Sequence, residues 1–358
     1  MKLEIEKEKL LRLFSVVNKA TAPKSNLPAL GNVLLKAEAD KLSISGTNLD
    51  QEVVSSATAE VKEEGSALIP GSRMRSLVGS MSGPIKIKKA LNDIEIFSQG
   101  FSAKLKGLPV DEYCKPIVEE QPTVFNFSGE RFSEALNSVV FAASADATRH
   151  MLNGVYFESD ENGCRVVATD GRRLSVCSIE DGEHPKAGVI LPTLAADLIS
   201  EAASSQEEIE FHVASSYVRL ANKTTQVFSK TIAAEFPDYR KVIPSPEDTN
   251  RIATFDKVEL SSAFRRTALF SNPKAPVTHL ECHSGSLTIT SKAPEEGEAN
   301  EVVEGEGQSF STAVQPQFMQ QFLKTTKGES ITVCVGEPTA PLRVLSEDTE
   351  YVVMPMRK

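Results

Sequence analysis

Leu10-Leu11-Arg12-Leu13-Phe14-Ser15-Val16-Val17 sets Leu10, Phe14 and Val17 on one face of a helix. The same stripe returns at Phe132, Leu136 and Val139, and again at Leu260, Phe264 and Thr267. The starts lie 122 and 128 residues apart. A second set keeps step: an apolar strand end runs into proline and then a helix at Ile69-Pro70, Leu191-Pro192 and Val314-Gln315-Pro316. Proline suits a first helical turn, where its missing N–H would be unpaired anyway. A third set, Leu108-Pro109, Phe236-Pro237 and Met354-Pro355, closes each unit. Repeats of about 20 to 50 residues would mean a solenoid or propeller, whereas a unit of about 120 residues can hold its own core. Three similar domains are expected, at 1–120, 121–247 and 248–358.

Each unit reads strand, helix, several strands, proline-started helix, several strands. In the first, Lys2–Ile5 alternates and residues 8–18 form an amphipathic helix. Strands follow at Leu34–Ala37, Leu42–Ser45 and Glu52–Ala57, then a second helix over Arg73–Met81. Many short strands with two helices per unit predict an α+β fold, the helices covering one face of an antiparallel sheet. Linkers are expected at Lys115–Gln121 and Pro244–Asn250, both bounded or interrupted by proline.

Composition narrows the function. Of 358 residues, 40% are hydrophobic and 25% charged, ordinary values for a globular chain. No apolar run approaches the length of a membrane span. Met1-Lys2 leads into Glu4, Glu6 and Glu8 without an apolar signal region. The five cysteines are odd in number and scattered, which points to a reducing cytoplasm and buried thiols. The net charge of −10 argues against a tight grip on nucleic acid, yet it is uneven. Residues 1–120 carry 17 basic and 16 acidic side chains; residues 121–358 carry 22 and 33.

Four segments are the densest motifs. They are Leu152-Asn153-Gly154-Val155, Ala168-Thr169-Asp170-Gly171-Arg172-Arg173-Leu174, Phe236-Pro237-Asp238-Tyr239-Arg240-Lys241-Val242-Ile243-Pro244, and Val352-Val353-Met354-Pro355-Met356-Arg357-Lys358. Alone, Thr-Asp-Gly is a hairpin turn, Asp-Gly supplying the positive φ. Its counterpart is Thr47-Asn48-Leu49, 122 residues earlier, so the turn belongs to the repeat while Arg172 and Arg173 are particular to the second unit. Together, and with the three-fold repeat, these segments resemble the bacterial sliding-clamp family, the β subunit of DNA polymerase III, along the whole chain.

The resemblance implies three DNA-clamp domains per chain and a ring-shaped head-to-tail homodimer with pseudo-six-fold symmetry, helices lining the hole. Size agrees with two chains rather than one. A 120-residue domain is about 35 Å across; three such beads enclose a hole of about 5 Å and six one of about 35 Å, by the same estimate. Duplex DNA measures roughly 20 Å, with grooves about 8 Å deep.

The family's partner pocket takes a short peptide with glutamine and hydrophobic anchors. Its implied lining is Leu152, Thr169, Gly171, Arg172, Arg173, Leu174, Pro237 and Val242. Val352, Met354, Pro355, Met356, Arg357, Arg149 and Met151 would complete it. Leucine, valine and proline make an apolar socket, and methionine adapts to differing ligands. Arg172 departs from the histidine common in the family, and Lys358 ends the chain where an apolar residue can occur.

The same carry-over gives Lys24, Arg73, Arg149, His150 and Lys241 as contacts to duplex DNA. Arg12, Lys19, Arg75, Arg131, Arg265 and Arg266 are further basic candidates on helices and loops. Sliding needs sequence-blind phosphate contacts, and a chain without tryptophan lacks the aromatic platforms of a single-strand binder. Ring closure is assigned to Arg73, Phe101, Leu269, Phe270, Glu296, Glu298 and Glu301, with Glu295 in the same acidic run; Arg73 has claims on both interface and channel. The run's bland alternative is a charged loop that binds nothing.

Two other readings compete. A monomeric, clamp-like peptide adaptor would share the pocket but never close. A metal enzyme would use His279, Glu281 and His283, which alternate along one face of an expected strand; zinc would need a further ligand in reach. No G-x-x-x-x-G-K-[ST], G-x-G-x-x-G or H-E-x-x-H occurs, so no catalysis, cofactor or metal is expected. The implied partners are the replicative polymerase, an ATP-dependent clamp loader, repair and translesion factors and a second copy of the chain, without membrane attachment.

Overall fold

The computed structural model describes residues 1–116, 120–180, 182, 184–204, 206–295 and 297–356. Glu296, Arg357 and Lys358, three of the residues singled out above, lie outside the described residues, as does the middle of the first expected linker. Among the described residues stand six α-helices: α1 (Lys7–Val17), α2 (Gly71–Ser80), α3 (Gly129–Val140), α4 (Thr193–Ala203), α5 (Lys257–Thr267) and α6 (Pro316–Thr325). They fall two to a repeat. The sequence stripe buries as expected: α1 turns Leu10, Leu13, Phe14 and Val17 inward, and α5 turns Leu260, Ala263, Phe264 and Thr267. The Asp256 carboxylate caps α5 by accepting the Glu259 N–H at 2.8 Å.

The chain folds into two compact units that do not follow the repeat boundaries. One comprises Met1–Glu130 and Asp197–Thr231, the other Arg131–Ala196 and Ile232–Lys358. Strand pairing explains why. In the first unit an eight-stranded antiparallel sheet runs in the order Thr123–Ser128, Glu208–Val213, Tyr217–Ala221, Thr225–Lys230, Gln51–Thr58, Lys41–Thr47, Asn32–Glu38, Gly65–Pro70. Its middle joint, Thr225 opposite Ser55 through Ser229 opposite Gln51, zips the second repeat to the first. A five-stranded sheet completes this unit, ending at Phe101–Leu105. In it α1 packs on α2 and on the strand Gln51–Thr58.

The second unit repeats the device. Its nine-stranded sheet joins Arg173–Glu180 of the second repeat to Thr349–Val353 of the third, with Arg173 opposite Val353 and Cys177 opposite Thr349. A four-stranded sheet runs Gly297–Val303, Ser286–Ala293, Thr278–His283, Phe310–Val314. Here α5 packs on α6 and on Gly297–Val303. Tyr351, fully buried, stacks on Phe322 with ring centroids 4.6 Å apart.

The structure revises several details. At all three prolines a strand passes into a helix as expected, but only Pro316 lies in the helical first turn; Pro70 and Pro192 end the strands Gly65–Pro70 and Ala187–Pro192, immediately before α2 and α4. Both strands lie at sheet edges, where a missing N–H is tolerated. Four cysteines are buried but Cys114 is exposed. The opening strand of the second repeat, for which the sequence reading gives no range, is Thr123–Ser128, where buried Phe125 and Phe127 alternate with exposed Val124 and Asn126. Of the acidic run, Glu298 and Glu301 lie on an edge strand, Gly297–Val303, rather than on a loop.

Candidate peptide pocket

The pocket lies within the second unit and begins at the turn Thr169–Arg173. The Thr169 hydroxyl donates to the Arg173 carbonyl at 2.6 Å and accepts the Gly171 N–H at 3.0 Å. Asp170 accepts the N–H groups of Arg172 and Arg173 through Oδ1 and Arg173 Nε through Oδ2. Gly171 has φ 84°, left-handed backbone that glycine adopts without strain. Leu49 holds the equivalent position in the first repeat with φ 79°. A Cβ on Gly171 would come within 3.2 Å of Arg149 Nη1, which donates to the Asp170 carbonyl at 3.0 Å. Glycine thus lets Arg149 lie against the turn.

Arg173 is buried and held on several sides. Besides Asp170, it donates to the Phe141 carbonyl at 2.6 Å and to Gln321 on α6, and its guanidinium lies 4.4 Å from the centroid of the Phe318 ring. A buried charge persists only when matched in this way.

The opposite wall is the segment Pro237–Val242, whose last four residues form a 3-10 turn. The Tyr239 hydroxyl donates to the Glu158 carboxylate. Glu158 also accepts Arg240 Nη2 at 2.7 Å and Arg165 Nη1 at 3.3 Å. Burial, reinforced by the Glu158 carboxylate, pushes the Tyr239 phenol well above its ordinary range, so it remains a donor. Phe236 stacks on Tyr156 with centroids 4.8 Å apart.

The chain end supplies the third wall. Beyond the strand Thr349–Val353, the Met354 N–H donates to the Arg172 carbonyl at 2.9 Å and the Met356 N–H to the Ala313 carbonyl at 2.8 Å. Between these walls is a cavity of about 230 Å³ lined by Leu152, Thr169, Gly171, Arg172, Arg173, Leu174, Pro237, Asp238, Tyr239, Val242, Val352 and Met354. Leu152, Leu174 and Val352 are buried in its floor, while Val242 and Met354 are 54% and 45% exposed at its lips. An apolar hollow with exposed apolar lips suits an anchoring aliphatic or aromatic side chain. A hollow of about 520 Å³ in the same unit shares Tyr239 but is lined largely by charged and hydroxyl groups, among them Arg165, Arg240, Asp348 and Glu350.

All eight residues first named for the pocket lie on this cavity, with Val352 and Met354; Asp238 and Tyr239 are additions. Both stand inside the Phe236–Pro244 motif: Tyr239 opens the 3-10 turn and is buried, and Asp238 precedes it, exposed at the cavity edge. Met151 packs against the apolar cluster beneath, and Arg149 lies on the turn. Pro355 and Met356 are not on the cavity wall.

The remaining candidates are scattered by comparison. Lys24 and Arg73 are exposed in the first unit, Arg149, His150 and Lys241 in the second. Phe101 and Leu269 are exposed large apolar residues, 47% and 74% respectively, and Phe270 is half-buried. Glu298 pairs with Lys292 at 3.1 Å, and Glu301 with Arg266. His279, Glu281 and His283 do share one face, with Cys282 buried on the other. Among the described residues no group of three or more His, Cys, Asp or Glu side chains could hold a metal ion. No described helix is long and apolar enough to cross a membrane.

Comparison with known proteins agrees along the full chain. The DNA polymerase III beta subunit family matches in three parts: its N-terminal domain over residues 1–116, its central domain over 126–238 and its C-terminal domain over 240–357. The beta sliding clamps of Pseudomonas aeruginosa and Escherichia coli are 28% and 27% identical, each aligned over all of both chains. A crystal structure of the Pseudomonas aeruginosa clamp bound to griselimycin superposes with a TM-score of 0.91 at 27% identity, covering all of both chains. The Caulobacter crescentus clamp, solved with polyethylene glycol bound to a putative beta-motif tethering region, gives 0.89 at 26% identity, over all of this chain and 99% of that one. With the three repeats, their paired helices and their antiparallel sheets, these matches establish that the chain belongs to the DNA polymerase III beta subunit family, the sliding clamps.

Proposed function

We propose that two copies of this chain close head-to-tail around duplex DNA and hold the replicative polymerase at its template, partners docking by short peptides in the Leu152–Met354 cavity. The domains are 1–120, 121–247 and 248–358. The chain catalyses nothing itself; it acts in the cytoplasm as a topological tether that raises the local concentration of polymerase. An ATP-driven loader opens the ring, and repair and translesion factors share the pocket. Lys24, Arg73, Arg149, His150 and Lys241 supply weak phosphate contacts.

The observation that carries this reading is a pair of open strand edges. By repeat position, Phe101–Leu105 corresponds to Thr225–Lys230 and Thr349–Val353, and Gly297–Val303 corresponds to Gln51–Thr58 and Arg173–Glu180. The second and third members of each set pair within the chain. Phe101–Leu105 and Gly297–Val303 each end a sheet. An exposed edge is a template for another strand. The register of the internal joints, extended to these edges, sets Phe101 opposite Glu301 and Lys104 opposite Glu298 of the neighbouring copy. Phe97, Phe101, Leu269 and Val302, all exposed in the single chain, supply apolar surface on or beside these edges.

The test is topological. The protein is loaded onto nicked circular DNA with its cognate loader, the loader is removed, and retention is measured before and after linearisation. Retention on circles with loss from linear ends supports encirclement. Equal retention on both means direct binding and overturns it. A solution mass of one chain rather than two would favour the monomeric adaptor.

A further inference from the structure

The joint between the first and second repeats is built on the same turn as the cavity. Thr47 repeats Thr169, its hydroxyl donating to the Gln51 carbonyl at 2.8 Å and accepting the Leu49 N–H at 3.0 Å. Asn48 repeats Asp170, its Oδ1 accepting the N–H groups of Asp50 and Gln51 at 3.0 and 2.7 Å. The Lys230 N–H donates to the Asp50 carbonyl at 2.8 Å, as that of Met354 does to Arg172. Leu30, 122 positions before Leu152, is buried as Leu152 is. Leu27 and Leu49, at the positions of Arg149 and Gly171, are exposed apolar side chains. Floor and occupant differ. Glu52 stands where the second repeat has Leu174. Tyr113 follows Pro109 as Tyr239 follows Pro237, but its hydroxyl donates to Glu52 at 2.8 Å, whereas that of Tyr239 turns to Glu158.

We propose that this joint is a second socket for a peptide anchor, closed by the chain's own Tyr113. The proposal rests on the reading of the Leu152–Met354 cavity as a peptide socket. A phenol whose hydroxyl is bonded to the floor residue holds its ring over that floor, the place an anchor side chain takes in the open cavity. The pair sustains itself: half-buried Glu52 needs a donor. Burial beside Glu52 in turn pushes the Tyr113 phenol above its ordinary range, so it stays protonated and donates. Because Tyr113 is tethered beside the floor, its effective concentration there outweighs that of a free peptide. An anchor that takes its place leaves Glu52 unmatched unless it brings a donor, so the site is built for tyrosine rather than phenylalanine or leucine.

Calorimetric titration with two synthetic peptides tests this, alike in glutamine and differing in a phenylalanine or a tyrosine anchor. The unaltered protein should take one peptide per chain. Tyr113→Ala should take two, the added site binding the tyrosine peptide about tenfold tighter than the phenylalanine one, the scale of a hydrogen bond to a charged acceptor. Adding Glu52→Leu should abolish that preference at the added site. Glu52→Leu alone, which leaves Tyr113 in place without its acceptor, should show the second site more weakly, and it decides the matter if circular dichroism shows Tyr113→Ala unfolded. One peptide per chain in these variants, or two in the unaltered protein, overturns the closed socket alone. Two sites without the tyrosine preference overturn the anchor chemistry. Failure of both peptides to bind the unaltered protein overturns the reading of the open cavity, and this proposal with it.

Discussion

Ser55 and Thr225 are 170 positions apart in sequence, and their hydroxyls lie 2.9 Å from each other at a buried joint between two repeats. Beside them Gln51 Nε2 donates to the Ser229 hydroxyl at 3.3 Å. Such bonds keep the polar groups of an internal sheet joint satisfied. They make neighbouring repeats cohere as one sheet, so that the compact units of the fold are larger than the repeats.

The corresponding open edges yield a charge-reversal prediction. Lys104→Glu or Glu298→Lys alone places like charges opposite each other in the proposed joint between copies and should raise the monomer fraction. The two changes together should restore the dimer. Analytical ultracentrifugation of the three variants decides it, and a double variant no better than the singles would refute the register.

The chain end is predicted to carry pocket affinity. Deleting Met354–Lys358 removes one lip and both backbone ties and should weaken polymerase-derived peptides by about tenfold or more, about 1.4 kcal/mol. Calorimetric titration of truncated and full-length protein checks this; unchanged affinity would show that the assignment of the pocket is wrong.

Tyr351 is a stability test. It is fully exposed to neither solvent nor ligand, being buried between Phe322 and Phe141, with its hydroxyl donating to the Phe318 carbonyl. Tyr351→Ala should cost about 3–5 kcal/mol, the range of aromatic truncations in a close-packed core. Urea unfolding measures it, and a loss below about 1 kcal/mol would mean that the site collapses around the cavity.

Glu52 gives a pH dependence. Burial pushes its carboxyl above the ordinary value of 4.5, partly offset by the Tyr113 hydroxyl, which donates to it at 2.8 Å. The folded chain therefore holds this proton more tightly than the unfolded one. The corresponding stability is fully present below 4.5 and is lost as pH rises through the folded value. Glu52→Gln keeps an acceptor for Tyr113 and removes the buried charge. It should raise the melting temperature at pH 7, by a margin that closes as pH falls below 4.5. A margin independent of pH would exclude the burial argument.

Much of the molecule could be read from local pattern. The stripe Leu10, Phe14, Val17 and its two echoes sit on buried helix faces, because a helical period is a property of neighbouring residues. The pocket segments were also identifiable, through turn chemistry at Asp170-Gly171 and through a resemblance spread over four motifs. The acidic run was less legible. Glu298, Asn300 and Val302 do not alternate cleanly with apolar residues, since a strand at an open edge is not yet buried on both flanks.

The sequence by itself determined three repeats with two helices in each, because helical periodicity, proline and glycine act over a few residues; the residues on the cavity wall were named through the resemblance rather than by any local pattern. Only the tertiary structure decided which strand edges join and which stay open, because the bonds at Ser55 and Thr225 link groups that chain order does not bring together. It also decided that Asp170 pairs with Arg173 and, among the described residues, leaves the Arg172 guanidinium without a partner. Two adjacent arginines are equivalent in sequence, but the turn points one into the protein and the other toward whatever enters the pocket.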